Sequence, residues 1–337
     1  MPERLLALDA ESLAAAARRA ATAWAAGELV AFPTETVYGL GAAARDPEAV
    51  ARVFAAKGRP VDHPLIVHLA DGAAVGDWAR DVPHAARRLA AACWPGPLTL
   101  VLWRRGDVPD AVTGGQPTVA LRVPGHPVAL ALLRAFGDGI AAPSANRFGR
   151  VSPTTADHVM ADLADVDPLL VVDGGPCPVG IESTIVDLTG ARPVVRRLGG
   201  VGVAELAAAL AVPVGDLAVA VTGGAGPDGP RVPGALARHY APDTPARAVP
   251  AGAGDRAPAG VAVLARRPVP TDHAGRWVTL PDEPRAAGRA LYRALRELDA
   301  TGADEIWLED VPADDAWAAI ADRLARAVAA RPEEETT

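Results

Sequence analysis

Short apolar runs of strand length alternate with helix-length segments through the first 212 residues, and this alternation limits the fold most. A first helix, which Asp9 can cap and Gly27 ends, precedes a buried strand at 29–32. Further strands are predicted at 65–69, 98–103, 119–123, 140–142, 169–172 and 185–188, and helices from Asp46-Pro47 and over 84–92, 127–136 and 155–163. The alternation predicts an α/β fold, with helices packed around one sheet.

The composition changes after a helix predicted at 203–211. Residues 222–234, TGGAGPDGPRVPG, are mainly glycine and proline and indicate a flexible connection. Strands predicted at 261–265, 277–280 and 306–308, with helices at 285–298 and 315–330, indicate a second, small parallel sheet. A chain of 337 residues is long enough for two cores. We therefore predict a first domain over 1–212, a Gly/Pro-rich linker over 213–245 and a second domain over 246–337.

Composition and charge exclude several classes of protein. The chain is 50% hydrophobic and 22% charged, which is not typical of disorder. Cys93 and Cys177 are too few for a disulfide framework or a cysteine-based zinc site. The first residues show no signal peptide and no run is apolar enough for a membrane helix, so we expect a cytoplasmic protein. A net charge of -8 argues against a non-specific nucleic-acid coat, although a pocket can carry the opposite sign.

Polar side chains gather at strand ends, where binding sites are often built on a rigid sheet. The chain contains no GxxxxGK[ST], GxGxxG, HExxH or GxSxG motif. Instead, Thr34, Glu35 and Thr36 follow a buried strand directly, and Gly39 and Gly41 would let the backbone turn or approach a ligand. An ordinary strand–turn–helix connection explains this segment equally well.

Two cations at the end of a helix form the second polar segment. Lys57 and Arg59 precede an apolar strand that carries His68, and such a group could hold phosphate or carboxylate oxygens. The alternative is simple complementarity between cations and a helix C-terminus, worth about 0.3–1 kcal/mol.

The third and fourth polar segments lie at 141–154 and 180–197. Small residues in the third allow close approach, and Ser144, Asn146 and Ser152 offer hydroxyl and amide groups to a polar ligand. Residues 152–154 also suit the start of a helix. In the fourth segment, Ser183 has no evident histidine–aspartate partner, so we do not interpret it as a nucleophile.

Together these segments resemble the Sua5/YrdC/TsaC family of threonylcarbamoyl-AMP synthases. The similar pieces, in chain order, are PTETVYGLG at 33–41, KGRP at 57–60, PLIVH at 64–68, WPGPLT at 94–99, VALRVP at 119–124, APSAN at 142–146, SPT at 152–154 and ESTIVD at 182–187. HYAP at 239–242 is similar to a segment of the longer, two-domain Sua5-type members.

The resemblance implies both a fold and a reaction. The fold is a YrdC-like twisted mixed sheet with flanking helices, followed by a smaller C-terminal Rossmann-like α/β domain. The reaction joins L-threonine, bicarbonate and ATP into L-threonylcarbamoyladenylate and releases pyrophosphate, with Mg²⁺ bound mainly through the ATP phosphates. The product would pass to a downstream transferase complex that forms threonylcarbamoyladenosine in tRNA, and no strong direct tRNA binding is expected.

The resemblance also implies roles for individual residues. Lys57 and Arg59 would be the catalytic cations near the phosphate and carbamate. The threonine site would be formed by Thr36, His68, Arg122, Ala142 and Ser183. The ATP site would be formed by Arg59, His63, Thr118, Ser144, Asn146, Ser152, Arg197 and Tyr240. His239 and Tyr240 would let the linker close over the occupied pocket, and no side chain is expected to hold a metal.

Two alternatives remain at this point. An RNA-binding module is possible because the similar domain has a concave basic face, but the charge of -8 weakens it. A related carbamoyl-adenylate enzyme of hydrogenase maturation would need zinc-finger segments, which two cysteines cannot supply.

Overall fold

The computed structural model describes residues 2–220, 229–234, 236–271, 273 and 275–329. The chain forms two compact units, one of residues 1–148 with 152–235 and one of residues 149–151 with 236–337. The change of unit at 235/236 falls inside the predicted linker 213–245, and the boundaries of the three predicted segments stay a prediction. Of the predicted flexible connection 222–234, residues 222–228 lie outside the described residues.

Strands and helices alternate along both units. The strands are β1 Glu3–Leu6, β2 Leu29–Pro33, β3 Tyr38–Ala43, β4 Ile66–His68, β5 Leu98–Trp103, β6 Thr118–Arg122, β7 Ile140–Ala141, β8 Leu169–Asp173, β9 Thr184–Asp187, β10 Val194–Arg197, β11 Ala218–Val219, β12 Ala246–Val249, β13 Val261–Ala265, β14 Trp277–Thr279 and β15 Glu305–Glu309. The helices are α1 Ala10–Ala25, α2 Pro47–Lys57, α3 His84–Cys93, α4 Asp110–Thr113, α5 Pro127–Phe136, α6 Ala156–Asp162, α7 Val203–Leu210, α8 Pro284–Asp299 and α9 Ala318–Val328.

Local sequence explains where the first helices begin and end. Asp9 caps α1, as predicted from the sequence, and it also forms a capping box with Ser12. Asp46 caps α2 and Pro47 occupies its first turn, while Gly58 ends this helix in the left-handed conformation. Each predicted strand and helix has a counterpart in the structure, with boundaries shifted by a few residues, and the last residue of the helix predicted at 315–330 lies outside the described residues.

The segment after β2 is a correction to the sequence analysis. Tyr38–Ala43 is a strand that pairs antiparallel with β2, so Gly39 and Gly41 do not form a turn. A Cβ added to Gly41 would lie 2.7 Å from Ile140 and 2.8 Å from Phe32. Gly41 therefore serves close packing inside the sheet, and only residues 34–37 connect the two strands.

The first unit is built on an 11-stranded mixed sheet. Its strand order is β1-β8-β2-β3-β7-β4-β6-β5-β9-β10-β11. Alternate strand residues, such as Val67, Leu121 and Val186, join α2, α3, α4, α6 and α7 in the main hydrophobic core. One face of this sheet is thus buried beneath helices across most of its width.

The opposite face of the same sheet is covered in two different ways. Helices α1 and α5 pack over its β8–β2 side, where Trp24 and Phe32 meet edge to face at 5.6 Å. On the β4–β6–β5–β9 side, Ile66, Val101, Ala120 and Ile185 form a small apolar cluster with Val232, a residue of the predicted linker. The side chain of a linker residue therefore packs on this half of the face.

The second unit is a smaller parallel α/β unit. Its four strands have the order β12-β15-β13-β14 and all pair in parallel, which confirms the predicted small parallel sheet. Leu291, Leu295 and Leu298 of α8 and Ile320 and Leu324 of α9 are buried. None of the helices in the described part of the chain has the length and apolarity needed to cross a membrane.

Candidate active site

Polar side chains from four adjacent strands share one half-face of the large sheet. Successive strand residues point to opposite faces, so His68 lies on the face of Ile66, and Thr118 and Arg122 lie on the face of Ala120. On β5, Thr99 lies on the face of Val101. Ser183 directly precedes β9 and lies on the face of Ile185 by the same alternation. The strand order therefore gathers residues that are distant in sequence beside the apolar cluster.

A bulge brings Arg197 to this face. In the β9–β10 pair, Val195 lies opposite Val186, but Arg197 lies opposite Ile185 because the register shifts between Val195 and Arg197. Regular alternation would have put Arg197 on the same face as Val195, which is in the main core. The extra residue turns the guanidinium toward the candidate site.

Arg122 is the centre of a buried polar network. Its Nη2 donates to Glu35 Oε1 at 2.6 Å, its Nη1 to Thr36 Oγ1 at 3.0 Å, and its Nε to the Gly96 carbonyl at 3.3 Å. Both charged side chains are buried, at 4% and 9% exposure. The other Glu35 oxygen accepts a hydrogen bond of 2.8 Å from the Gly125 backbone N–H. These contacts fix the guanidinium plane from three sides.

The short connection between β2 and β3 carries Thr36 toward Arg122. The Thr34 hydroxyl lies 2.8 Å from that of Thr36 and donates to the Val37 carbonyl at 2.7 Å. Thr34 Oγ1 also accepts from the backbone N–H groups of Thr36 and Val37, each at 3.2 Å. Side-chain to backbone bonds of this kind stabilise a tight connection without regular secondary structure.

Ser183 is held by two neighbours. Its hydroxyl lies 2.7 Å from that of Thr99 and accepts from Arg197 Nη2 at 2.9 Å. Arg197 also donates from Nε to the Ser183 carbonyl at 3.0 Å and from Nη1 to the Pro233 carbonyl at 3.0 Å. Ser183 thus belongs to a polar network with an arginine, and its partners are not those of an activated nucleophile.

Lys57 is buried at the end of α2. Its Nζ donates to the Ser144 carbonyl at 2.5 Å and to the Asn146 carbonyl. Burial, and then the nearby charge of Arg59, hold the pKa of Lys57 well below its usual value. The amine therefore joins the α2 terminus to the 142–146 segment.

Arg59 and His63 lie beside Phe148. Arg59 Nη2 donates to the Pro64 carbonyl at 3.0 Å, and the guanidinium lies 5.6 Å from the centre of the Phe148 ring. The His63 ring meets Phe148 edge to face at 5.5 Å. Burial, and then the charge of Arg59, lower the pKa of His63. A neutral His63 would offer a flat polar ring beside a guanidinium.

His68 is a buried, neutral histidine. Desolvation, assisted by the charge of Arg122, lowers the pKa of His68 to about 3. Its Nδ1 lies 3.3 Å from the Ile66 carbonyl, and its ring meets Phe32 edge to face at 6.2 Å. The imidazole therefore does not add positive charge to the site at neutral pH.

The segment that follows β7 carries the predicted small and polar residues. The Ala142 N–H donates to the Ile66 carbonyl at 3.0 Å, and Ser144 forms an isolated bridge with Gly39. Asn146 is buried, with its Nδ2 donating to the Arg147 carbonyl at 2.7 Å. Ser152 donates to Glu182 Oε1 at 2.7 Å. Ala142 and Ser144 are thus bonded to β4 and β3, Asn146 is bonded within the loop, and Ser152 is bonded to the residue two positions before β9.

Residues 231–233 cross the same half-face. Gln116 pairs with the backbone of Arg231 through two bonds, of 2.7 and 3.1 Å, and the Arg231 side chain lies 3.0 Å from Asp62 Oδ2. Val232 is buried in the apolar cluster, and Pro233 accepts from Arg197. This part of the predicted linker is thus attached to the first unit at three consecutive residues, through loop residues at Arg231 and through strand residues at Val232 and Pro233.

His239 and Tyr240 belong to the second unit. Their rings meet at 4.0 Å, Tyr240 stacks on Tyr292 at 5.7 Å, and Arg323 lies 5.0 Å from the Tyr240 ring centre. Tyr240 has a φ of 59°, a conformation that is costly for a residue with a Cβ. Their predicted roles in ATP binding and linker closure stay predictions.

The first unit therefore gathers most of the predicted side chains into hydrogen-bonded groups. The residues that support them by hydrogen bonds were not among the predicted site residues. Those supports are Glu35 for Arg122, Thr34 for Thr36, Thr99 for Ser183 and Glu182 for Ser152. Each of them lies inside a segment that the sequence analysis had singled out. Their residue types were visible, but their partners depend on the strand order.

The arrangement suits an anionic, hydroxyl-bearing ligand. Arg122 and Arg197 supply guanidinium groups, and Thr36 and Ser183 supply hydroxyls bonded to them, on one half-face of the sheet. Among the described residues, no group of three or more histidine, cysteine or acidic side chains is placed to hold a metal ion. Such a site can orient carboxylate and phosphate groups and stabilise charge that develops on them.

The fold and this site define a two-unit α/β protein of the YrdC-like class. Residues 22–199 match the family model described as "Telomere recombination", and residues 201–329 match the one described as "Threonylcarbamoyl-AMP synthase, C-terminal domain". The chain belongs to the Sua5/YrdC family of threonylcarbamoyl-AMP synthases, in its two-domain form.

Relatives and solved structures agree over nearly the whole chain. Threonylcarbamoyl-AMP synthases of Pyrococcus abyssi and Bacillus subtilis are each 40% identical, over 89% and 90% of this chain and 90% of each relative. The crystal structure of Pyrococcus abyssi Sua5 complexed with L-threonine has a TM-score of 0.86 at 37% identity and covers 97% of both chains. The predicted family and fold class are thereby confirmed.

Proposed function

We propose that this protein makes L-threonylcarbamoyladenylate from L-threonine, bicarbonate and ATP and releases pyrophosphate. The observation that carries the proposal is the gathering of His68, Arg122, Ser183 and Arg197 on one half-face of the sheet. The similar proteins of known name and the Pyrococcus abyssi structure with L-threonine support it.

The threonine site in this proposal lies around Arg122. Its guanidinium would bind the substrate carboxylate, and the hydroxyls of Thr36 and Ser183 would bind neighbouring polar groups. His68, neutral because burial holds its pKa at about 3, would bind the substrate hydroxyl without adding charge. Ala142 would leave space for the substrate, since its side chain is a single methyl group.

The reaction depends on the correct positions of the substrates and needs no nucleophile from the protein. The threonine amine and bicarbonate form a carbamate with loss of water, and a carbamate oxygen attacks the α-phosphate of ATP as pyrophosphate leaves. Lys57 and Arg59 would hold the phosphate and carbamate oxygens, while Thr118, Ser144, Asn146, Ser152 and Arg197, with His63 and Tyr240, would bind the nucleotide. Most of the rate enhancement would come from orientation and charge stabilisation.

We also propose that Mg²⁺ accompanies ATP and is bound mainly through its phosphates. Both oxygens of Glu35 already accept hydrogen bonds, and Glu182 Oε1 accepts one from Ser152. This donor set fits a metal that takes its oxygen ligands from the substrate. The bound ion would offset repulsion between the triphosphate oxygens.

The proposed place of the reaction is the cytoplasm, where the product would go to a tRNA threonylcarbamoyl transferase complex. We propose no strong direct tRNA binding, because the net charge of -8 opposes broad phosphate neutralisation.

The test of the function is an omission experiment. Purified protein is incubated with ATP, Mg²⁺, bicarbonate and L-threonine, and pyrophosphate is measured with each component left out in turn. The proposal expects pyrophosphate release that requires both threonine and bicarbonate. Release that is indifferent to either of them would refute it.

A further inference from the structure

We propose that Glu35 is the positioning residue that makes the site selective for the carboxylate of the amino-acid substrate. The inference deepens the proposed function and rests on it. Glu35 does not touch the substrate in this proposal but acts through Arg122. It was not among the site residues predicted from the sequence, and the structure reveals it through its contacts.

Glu35 balances the charge of a buried guanidinium. Arg122 is buried at the carboxyl end of β6, and a buried guanidinium without a counter-ion is costly. Glu35 Oε1 lies 2.6 Å from Arg122 Nη2 and is also buried. The carboxylate therefore compensates the charge of Arg122 and holds the guanidinium in place before any substrate arrives.

Arg122 also retains donors for a substrate. Arg122 has five N–H groups, and the structure uses one on Nε, one on Nη1 and one on Nη2. One N–H therefore remains on each terminal nitrogen. Two such donors match the two oxygens of a carboxylate, whereas an alcohol or amide oxygen would satisfy fewer of them.

Glu35 is itself held in place through both its side chain and its backbone. Its second carboxylate oxygen accepts the Gly125 N–H at 2.8 Å, and its backbone carbonyl accepts the Val179 N–H at 2.7 Å. The residue is thus fixed by the segment after β6 and by the segment before β9, in addition to Arg122. A carboxylate bonded at both oxygens, on a backbone that is also bonded, can hold a flexible arginine in one orientation.

The test compares Glu35→Gln with the wild-type full-length protein. Glutamine has nearly the same shape as glutamate but carries no negative charge. Its amide N–H₂ would also face a donor at Arg122 or at Gly125, so one of the two hydrogen bonds would be lost. We expect the KM for L-threonine to rise about 10- to 100-fold, since hydrogen bonds to charged groups carry this much. The kcat at saturating threonine and the KM for ATP should change much less.

Substrate selectivity separates positioning from general damage. L-threoninol, which has an alcohol in place of the carboxylate, is measured as a competitor of L-threonine. We expect wild-type protein to prefer L-threonine strongly and Glu35→Gln to lose most of this preference. If Glu35 were only structural, both affinities would fall together and their ratio would stay unchanged, and that result would overturn the inference.

Two further variants complete the experiment. Glu35→Asp keeps the charge and should recover part of the threonine affinity. In a protein that already carries Arg122→Lys, the change Glu35→Gln should raise the KM for L-threonine little further, because the two residues act as a unit. Glu11→Gln on the exposed side of α1 is the matched control and should behave like wild type. A wild-type protein without threonine-dependent turnover would refute the proposed function, whereas normal turnover with an unchanged KM in Glu35→Gln would refute only the role of Glu35.

Discussion

Arg197 lies directly opposite Ile185 across the β9–β10 pair, although Val195, two residues earlier, lies opposite Val186. A one-residue bulge separates these two pairings and moves Arg197 from the core face to the site face. From there its three nitrogens reach the Ser183 carbonyl, the Ser183 hydroxyl and the Pro233 carbonyl. A local irregularity in one strand thus connects a sheet side chain to the linker backbone.

This contact predicts that Arg197→Lys is not a conservative change. A lysine keeps the charge but cannot donate in three fixed directions, so Ser183 and Pro233 would lose part of their support. We expect kcat/KM for ATP to fall about 10-fold or more, in line with the loss of a charged hydrogen bond. Steady-state pyrophosphate assays over a range of ATP concentrations measure this. Arg196→Lys, at the neighbouring residue that pairs with Asp187, is the control, and equal losses in both variants would contradict the prediction.

Lys57→Ala and Arg59→Ala should each abolish synthesis. Arg59→Ala removes a guanidinium that donates to the Pro64 carbonyl and lies beside the Phe148 ring, and we expect the variant to remain folded. Lys57→Ala also leaves the Ser144 and Asn146 carbonyls without the Lys57 donor. We therefore expect the free energy of unfolding of this variant to fall by about 1–3 kcal/mol relative to wild type. Pyrophosphate release and thermal melting are measured on the same samples. Wild-type turnover in either variant would exclude that residue from the reaction.

Much of the first unit could be predicted because its elements have strong local signals. Asp9, Asp46 and Gly58 mark helix ends, and β5 at Leu98–Trp103 is a plain apolar run. By contrast, β1 was missed because Glu3–Leu6 is short and largely exposed, and β3 was missed because two of its residues are glycines. Propensity is weak where a strand is formed by its neighbours.

The site was predictable by residue type and not by partner. The resemblance to a known family placed Arg122 in the threonine site, but its pairing with Glu35 depends on which strands become neighbours. The same holds for Thr99 and Ser183, which the parallel β5–β9 pair brings together. The order of strands in a sheet depends on residues that are distant in sequence, so no short motif predicts it.

The attachment of residues 231–233 predicts a role for Gln116. Its side chain makes both backbone hydrogen bonds to Arg231, at 2.7 and 3.1 Å, so Gln116→Ala loosens this segment while Val232 and Pro233 still hold it. We expect the KM for ATP to rise several-fold while the melting temperature changes little. An unchanged KM for ATP would show that this attachment does not matter for synthesis.

Deleting residues 222–245 should impair synthesis more than it lowers thermal stability, although the deletion also removes the buried Val232 and Tyr240. Pyrophosphate release and thermal melting measure both effects. Full activity in the deletion would show that the segment is dispensable for synthesis.

Gly41 should be sensitive to the smallest possible substitution. A Cβ at this residue would lie 2.7 Å from Ile140, 2.8 Å from Phe32 and 3.3 Å from Trp24, all of which are buried. Overpacking of this kind costs about 1–3 kcal/mol, so Gly41→Ala should lower the free energy of unfolding by that amount. Denaturant unfolding measures it. Gly76→Ala, where nothing lies within 4 Å of the added atom, is the control and should have a clearly smaller effect.

His68 should make the stability of the first unit depend on pH in a defined direction. Its folded pKa is about 3, below the usual value of 6.5, so between these values the unfolded chain binds a proton that the folded chain does not. Stability contributed by the neutral imidazole is therefore complete above pH 6.5 and is lost as the pH falls toward 3. At about 1.4 kcal/mol per pKa unit, lowering the pH from 7 to 4 should lower the free energy of unfolding by about 3 kcal/mol through this residue.

The variant His68→Gln tests this dependence. Glutamine cannot bind the proton, so the difference in unfolding free energy between wild type and variant should shrink over the same range. A difference that is constant from pH 7 to 4, measured by urea unfolding, would show that His68 does not remain neutral and buried as the structure has it.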